Sequence, residues 1–220
     1  TYTEGANYKE SNYTITKNEG KLTITQRTDI IVITTPTRSR AYNGKKLLDY
    51  QCTYTGTIAD GDELIMTFPE DDGLINAGSK PNQYERYRVE RKSDGRDVTN
   101  NYTFGESIIG TLTVTPVAIE LTAASASKAY DGTPLTNSNY TITKGAFVGE
   151  EGLAAVTIAG SQTLVGTSAN TITGHTLKDN TLAQNYTITY QPGELKVTQN
   201  EKTITVTANS HTWEYDGQPH

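Results

Sequence analysis

The sequence predicts an all-β fold, built as tandem Ig-like or β-grasp-like sandwich repeats arranged end to end, on three observations. The first is an internal repeat: Tyr42-Asn43-Gly44, Tyr130-Asp131-Gly132 and Tyr215-Asp216-Gly217 recur at nearly equal intervals along the chain of 220 residues. The second is composition. Thr supplies about one residue in six, and 14 Tyr outweigh three Phe and one Trp beside 19 Gly, a diet of strands and turns rather than helices. The third is the succession of short alternating segments, with turn signals roughly every 8–12 residues, that marks all-β sandwiches.

Two further markers keep the same phase. Asn-Tyr-Thr occurs at 12–14, 101–103 and 185–187. The pattern Gly-x-Leu-x-[Ile/Val]-Thr runs from Gly20 to Thr25, Gly110 to Thr115 and Gly193 to Thr198. Three short motifs in one order define two full copies, 29–116 and 117–201. They are flanked by the closing strands of a preceding copy at 1–28 and the opening strand of a following one at 202–220. The chain is thus expected to be a window on a longer array, and each full copy is large enough for its own core.

Within a copy the elements follow in order. Residues 117–124 alternate as a half-buried strand with Val117, Ile119 and Leu121 on one face, and 29–36 and 202–208 are their equivalents. Tyr-Asp-Gly or Tyr-Asn-Gly comes next, at one constant distance after Ile33, Leu121 and Val206. It marks a tight turn in which Gly takes positive φ and the Tyr packs on a neighbouring strand. Strands are then expected at 139–148 and 50–59, followed by acidic turns at 60–62 and 149–152. Further strands are expected at 63–68 and 153–159, and near 83–90 and 170–177. Each copy closes with two strands around Asn-Tyr-Thr and Gly-x-Leu, joined in copy two by a hairpin turn at Gln191-Pro192-Gly193-Glu194. The junctions at 115–117 and 199–201 leave almost no linker, so successive copies are expected to couple stiffly.

A formal net charge of −6 and the lack of a basic run argue against nucleic acid or an anionic membrane as partner. No apolar run is long enough to span a bilayer, and no signal segment stands at Thr1. Cys52 is the one cysteine, so an internal disulfide is impossible, and it reads as a buried inert thiol. Such sparse cysteine suits a Gram-positive surface protein and a cytosolic one equally.

The Tyr-Asp-Gly turn, a mid-copy Gly, and the closing Asn-Tyr and Gly-x-Leu motifs together resemble the MBG or YDG-type tandem repeats of bacterial surface adhesins. The resemblance spans essentially all of 29–201 and both partial copies. It implies an extracellular, cell-wall-attached setting in which arrays form a stalk. Copy one departs from the pattern with Asn43 for Asp and with a charged stretch at 82–97.

No constellation for catalysis recurs with the repeat. His175, His211 and His220 fall in unrelated phases, and no nucleophile has a base in step with it. Neither a catalytic, a metal nor a cofactor-binding set is therefore expected. The acidic clusters at 60–63 and 70–72 lack the ligand spacing of an EF-hand and read as solvated turn charge. Asn12, Asn101, Asn139 and Asn185 head formal glycosylation sequons but read as turn residues. An intramolecular isopeptide bond is disfavoured, because the Lys128 position is Arg40 in copy one and Trp213 in the third.

Two functional readings remain. The leading one is a stalk or spacer that projects a distal domain, with each copy spanning on the order of 40 Å if strands of roughly 10 residues rise 3.3 Å per residue. The alternative is a multivalent module that grips a host glycan or protein through exposed Tyr84, Tyr87 and Trp213. The stretch 83–96 reads as an edge strand protected by charge or as a partner-binding loop. Strand exchange between chains at the incomplete ends is a further partner reading.

Overall fold

The computed structural model describes residues 9–70 and 72–219. The first eight residues of the 1–28 segment, Asp71 of the acidic cluster and His220 lie outside the described residues. The fold is all-β. Among the described residues the only helical turns are three 3-10 turns, at Glu10–Asn12, Thr99–Asn101 and Ala183–Asn185. Each of them ends on the Asn of an Asn-Tyr-Thr motif, which is where the expected turn role of that residue lies.

The strands of copy one are β1 (Ile30–Thr34), β2 (Arg38–Ala41), β3 (Thr53–Thr55), β4 (Asp62–Thr67), β5 (Gly78–Pro81), β6 (Arg86–Arg91), β7 (Thr103–Phe104) and β8 (Thr111–Thr115). Those of copy two are β9 (Val117–Ala123), β10 (Ala126–Ala129), β11 (Tyr140–Lys144), β12 (Leu153–Ala159), β13 (Gly166–Leu177), β14 (Tyr186–Gln191) and β15 (Gly193–Thr198). They divide between two compact units whose boundaries differ from those of the sequence copies.

Unit 1 gathers the chain up to Pro36 with Tyr50–Asp71 and Asn82–Gly110. Its first sheet has the order β3-β1-β7 and its second is β4-β6. β1 is central because its run of β-branched residues suits a strand paired on both sides. It pairs antiparallel with β3 and parallel with β7. Ile31 turns inward to meet Val89, Val98 and Tyr102, with Ile58, Leu64 and Phe104 packed around them. β6, which carries much of the charged stretch, pairs along its length with β4, and its other side is met by residues 96–99 through the Glu90–Asp97 bridge.

Unit 2 gathers Thr37–Asp49, Asp72–Pro81 and Thr111–His220. Its sheets have the orders β2-β8-β5, β10-β15-β13-β12 and β11-β9-β14. β9 buries Ile119, Leu121 and Ala123 on alternate positions, as its sequence period requires. These meet Ile172 and Tyr186 of the same copy together with Tyr42 and Val114 of copy one. Residues of two successive sequence copies therefore share one hydrophobic core.

β13 is long enough to serve two partners. Its first half pairs with β15 and its second half with β12. In copy one the same path is split into β5 and β6, and the break follows Pro81, which has no N–H to continue a ladder. A buried asparagine stands at the crossing point in each copy. Asn170 donates through Nδ2 to the carbonyls of Ala124 and Asn137 at 2.8 Å each, and Asn82 donates to Pro36 at 3.0 Å.

Several expectations are corrected. The stretch 185–198 is not a hairpin: β14 pairs in parallel with β9, whereas β15 pairs with β13 and β10. The chain crosses between sheets at Gly193, where a Cβ would stand 2.5 Å from the Ala123 carbonyl oxygen. The segments 20–25 and 202–208 carry no strand, and Leu22, Ile24, Ile204 and Val206 are almost fully exposed. A strand needs partners for its backbone groups, and β9, the equivalent of 202–208, finds them in β11 and β14, which follow it in sequence. Cys52 lies just before β3 and is half-buried rather than buried.

Candidate functional site

The recurring Tyr-Asp/Asn-Gly tripeptide folds as an Asx turn in all three places. The side-chain Oδ1 of residue two accepts the N–H two positions on, from Lys45 to Asn43 at 3.1 Å, Thr133 to Asp131 at 2.9 Å and Gln218 to Asp216 at 3.0 Å. The following glycines Gly44, Gly132 and Gly217 have φ of 72°, 81° and 79°, the left-handed region that glycine enters at no steric cost. Asn43 can replace Asp because the turn uses only the Oδ1 acceptor they share. In copy two Lys128 adds a charged donor, with Nζ 2.8 Å from Asp131 Oδ1. That contact, with the Thr133 N–H, holds the Asp131 carboxyl far below the usual carboxylate range. At the equivalent place Arg40 donates to the Lys45 carbonyl.

The tyrosine that opens the tripeptide does not behave uniformly, which corrects the expectation that it packs in every copy. Tyr42 is 6% exposed, Tyr130 is 37% exposed and Tyr215 is 98% exposed. Tyr42 is buried because its hydroxyl reaches a carboxylate in copy two: it donates to Glu151 Oε1 at 2.5 Å, while Tyr186 donates to Oε2 at 2.6 Å. The two rings meet edge to face at 5.7 Å, a favoured aromatic geometry. The Tyr186 hydroxyl also accepts the Val148 N–H at 2.9 Å. Burial, then the bond to Glu151, pushes the Tyr186 phenol up to about 12. For Tyr42 the bond to Glu151 leads and burial follows, again raising it.

Unit 1 holds the same lock in different dress. Tyr102 donates to Asp62 Oδ2 at 2.7 Å and its hydroxyl accepts the Ala59 N–H at 3.2 Å. Here the second carboxylate oxygen takes Arg91 Nε at 3.3 Å. The Tyr102 bond, helped by Arg91 and opposed by burial, lowers the Asp62 carboxyl, while burial and then Asp62 raise the Tyr102 phenol. Asp62 and Glu151 are thus not solvated turn charge. Each is the acceptor on which an Asn-Tyr-Thr tyrosine closes. Their signal in the sequence is an acid that recurs, at Asp62 and Glu151, in step with the tyrosines Tyr102 and Tyr186.

Asn185 of the third motif is fully buried and extends this junction. Its Oδ1 accepts the Ala77 N–H at 2.8 Å, and its Nδ2 donates to Asn76 Oδ1 at 3.0 Å. A buried amide so engaged is a structural residue rather than a modification site.

The predicted ligand-binding aromatics fall in different places. Tyr84 and Tyr87 belong to unit 1 and Trp213 to unit 2. Tyr84 sits edge to face on Tyr87 at 5.9 Å, and Tyr87 leans on Phe104 at 4.4 Å. The Tyr84 hydroxyl also bonds the Ser107 hydroxyl at 2.7 Å. Trp213 meets His211 edge to face at 4.2 Å in a segment without regular structure. Among the described residues, no three His, Cys, Asp or Glu side chains are grouped to hold a metal ion, and no helix is long and apolar enough to cross a membrane. A surface depression over residues 136–139, Ile158 and Gly160 is lined by no ionisable side chain. Among the described residues, the tyrosine–carboxylate junction is a geometry built from phase-locked residues that joins distant parts of the chain, and its chemistry is cohesion. No family model, curated protein or solved structure matches the chain.

Proposed function

We propose that this chain is a spacer segment of an extracellular bacterial surface fibre or adhesin, in which successive copies of one repeat are welded in series to carry a distal domain. The observation that supports this reading most directly is the shared core of unit 2. Tyr42 and Val114 of one copy are buried against Ile119, Leu121 and Tyr186 of the next. Buried apolar contact closed by two hydroxyl–carboxylate bonds resists separation better than a flexible linker, because a donor or acceptor stripped of its partner in the interior is costly. The bacterial surface setting rests on the resemblance to MBG or YDG-type repeats. The engagement of Tyr84 and Tyr87 in packing favours cohesion over a sugar-stacking platform.

Small-angle X-ray scattering on the full chain tests the reading. A compact domain of this chain's length has a radius of gyration of about 17 Å, and a spacer is expected to exceed that value clearly. A radius no larger than the compact value refutes it. So does reproducible glycan-array binding that vanishes on Tyr84→Ala, Tyr87→Ala or Trp213→Ala, which would establish the multivalent module instead.

A further inference from the structure

The junction buried within unit 2 has an unfilled counterpart on the same unit. Tyr130 occupies in copy two the place of Tyr42 in copy one, since the Tyr42 N–H bonds the Thr115 carbonyl at 2.8 Å and the Tyr130 N–H bonds Thr198 at 2.8 Å. The strands agree as well. β2 pairs in parallel with β8 and β10 with β15, and the bridge Leu47–Leu74 corresponds to Leu135–Gln162. On this register Asn76 and Ala77, which meet Asn185, correspond to Leu164 and Val165 in the following copy.

What differs is cover. Leu164 and Val165 are 69% and 58% exposed, and Tyr130 is 37% exposed where Tyr42 is buried. Three positions that are buried or half-buried in one copy are thus more exposed in the next, two of them there bulky and apolar, which is the pattern of an interaction surface. The chain itself begins the cover. Ile204 joins Tyr130 and Val165 in lining one depression, and it holds in the third copy the place of Ile119, which packs in the same core as Tyr42.

We propose that the face carrying Tyr130, Leu164 and Val165 is a docking surface for one further copy of this repeat. The acidic-turn carboxylate of that copy accepts the Tyr130 hydroxyl, as Glu151 accepts Tyr42. Its Asn-Tyr-Thr asparagine accepts the Val165 N–H, as Asn185 accepts Ala77. The occupant is chosen by continuity: the surface repeats, position for position, one that already seats a copy. This rests on the spacer reading only for the identity of the occupant. A spacer could also join copies by loose tethers, so failure of docking leaves that reading standing.

The test lengthens the full chain by repeating residues 117–201 after Glu201 in place of 202–220. Tyrosine nitration by tetranitromethane, mapped by mass spectrometry, is compared with the original chain, with exposed Tyr54 as internal control. Docking is expected to slow nitration of Tyr130 by about tenfold or more, a modest local protection, with Tyr54 unchanged. In the lengthened chain Val165→Glu is expected to restore Tyr130 reactivity. Equal rates in the two chains overturn the proposal. An added copy that stays unfolded by amide hydrogen exchange overturns it as firmly, because the Tyr130 face is claimed to complete that copy's core. Protection that survives Val165→Glu refutes the location of the surface.

Discussion

Removing one oxygen atom from the junction, in Tyr42→Phe, isolates what the tyrosine–carboxylate lock contributes. The ring keeps its edge-to-face contact with Tyr186 at 5.7 Å, so packing is preserved while the hydroxyl's 2.5 Å bond to Glu151 is lost, along with its contact with the Asn185 side chain. A hydrogen bond to a charged group is worth about 1.5–3 kcal/mol. Glu151 is half-buried and keeps Tyr186 at 2.6 Å, so water can reach the freed oxygen, and the expected loss is about 1.5 kcal/mol. Native-state hydrogen exchange along a urea series reads this by segment, comparing unit 2 amides such as that of Tyr42 with unit 1 amides such as that of Gly105. Protection in unit 2 is expected to fall by about tenfold, while unit 1 holds, since sites without shared partners act independently. A double-mutant cycle with Glu151→Ala then separates the pair from its surroundings. Tyr42→Phe is expected to cost almost nothing once the acceptor is gone, a coupling of about 1 kcal/mol or more. A Tyr42→Phe variant as stable as the parent in unit 2, or a coupling below about 0.3 kcal/mol, would refute the lock as a source of cohesion.

The raised phenols of unit 2 give an alkaline limit. A group whose folded pKa exceeds its unfolded value, 10.0 for tyrosine, contributes stability that is complete below that pH. For Tyr186 this contribution is lost as pH rises towards about 12. Unfolding temperatures of unit 2 are expected to drop across that window, less steeply in Tyr186→Phe; an identical pH profile in that variant would contradict the assignment. In unit 1 the sign reverses. The Asp62 carboxyl is lowered from 3.8, so its contribution is complete above about pH 4 and is lost as pH falls further. Asp62→Asn should flatten the acid limb of unit 1 thermal melts, and an unchanged limb would count against it. Gly145→Ala is expected to destabilise unit 2 by about 2 kcal/mol or more in chemical denaturation. The residue has φ of 74° and its Cβ would lie 2.1 Å from the Ala118 carbonyl oxygen, so a cost under about 0.5 kcal/mol would mean the backbone yields there. Asn170→Ala, which removes a buried amide and strips two half-buried carbonyls of their donor, should cost about 2 kcal/mol; a neutral result by the same measurement would show that water takes its place.

Local features were legible along the chain because their causes are local. The Asx turn at Tyr-Asp-Gly depends on a side chain and an N–H two positions away, so it forms even at Asp216, in a stretch with no strand around it. The alternation of β9 revealed its buried face for the same reason. The closing segment misled. Gln191-Pro192-Gly193-Glu194 has the residues of a hairpin turn, yet β14 and β15 part into different sheets, where β14 takes its ladder from β9 and β15 takes its own from β13 and β10. Asp62 and Glu151 read as surface charge because their partners stand 40 and 35 residues away, beyond the reach of any local pattern.

The sequence by itself determined that short motifs recur in one order, where the Tyr-Asp/Asn-Gly turns fall and which face of β9 is apolar. All of these follow from backbone preferences and spacing. Only the tertiary structure decided what the repeated tyrosine does. Tyr42 and Tyr130 stand in the same motif and fold into the same turn, yet one is buried against a carboxylate 109 residues away and the other is open to water. Burial belongs to whatever surface arrives opposite a residue, and for Tyr42 that surface is supplied by the next copy of the repeat.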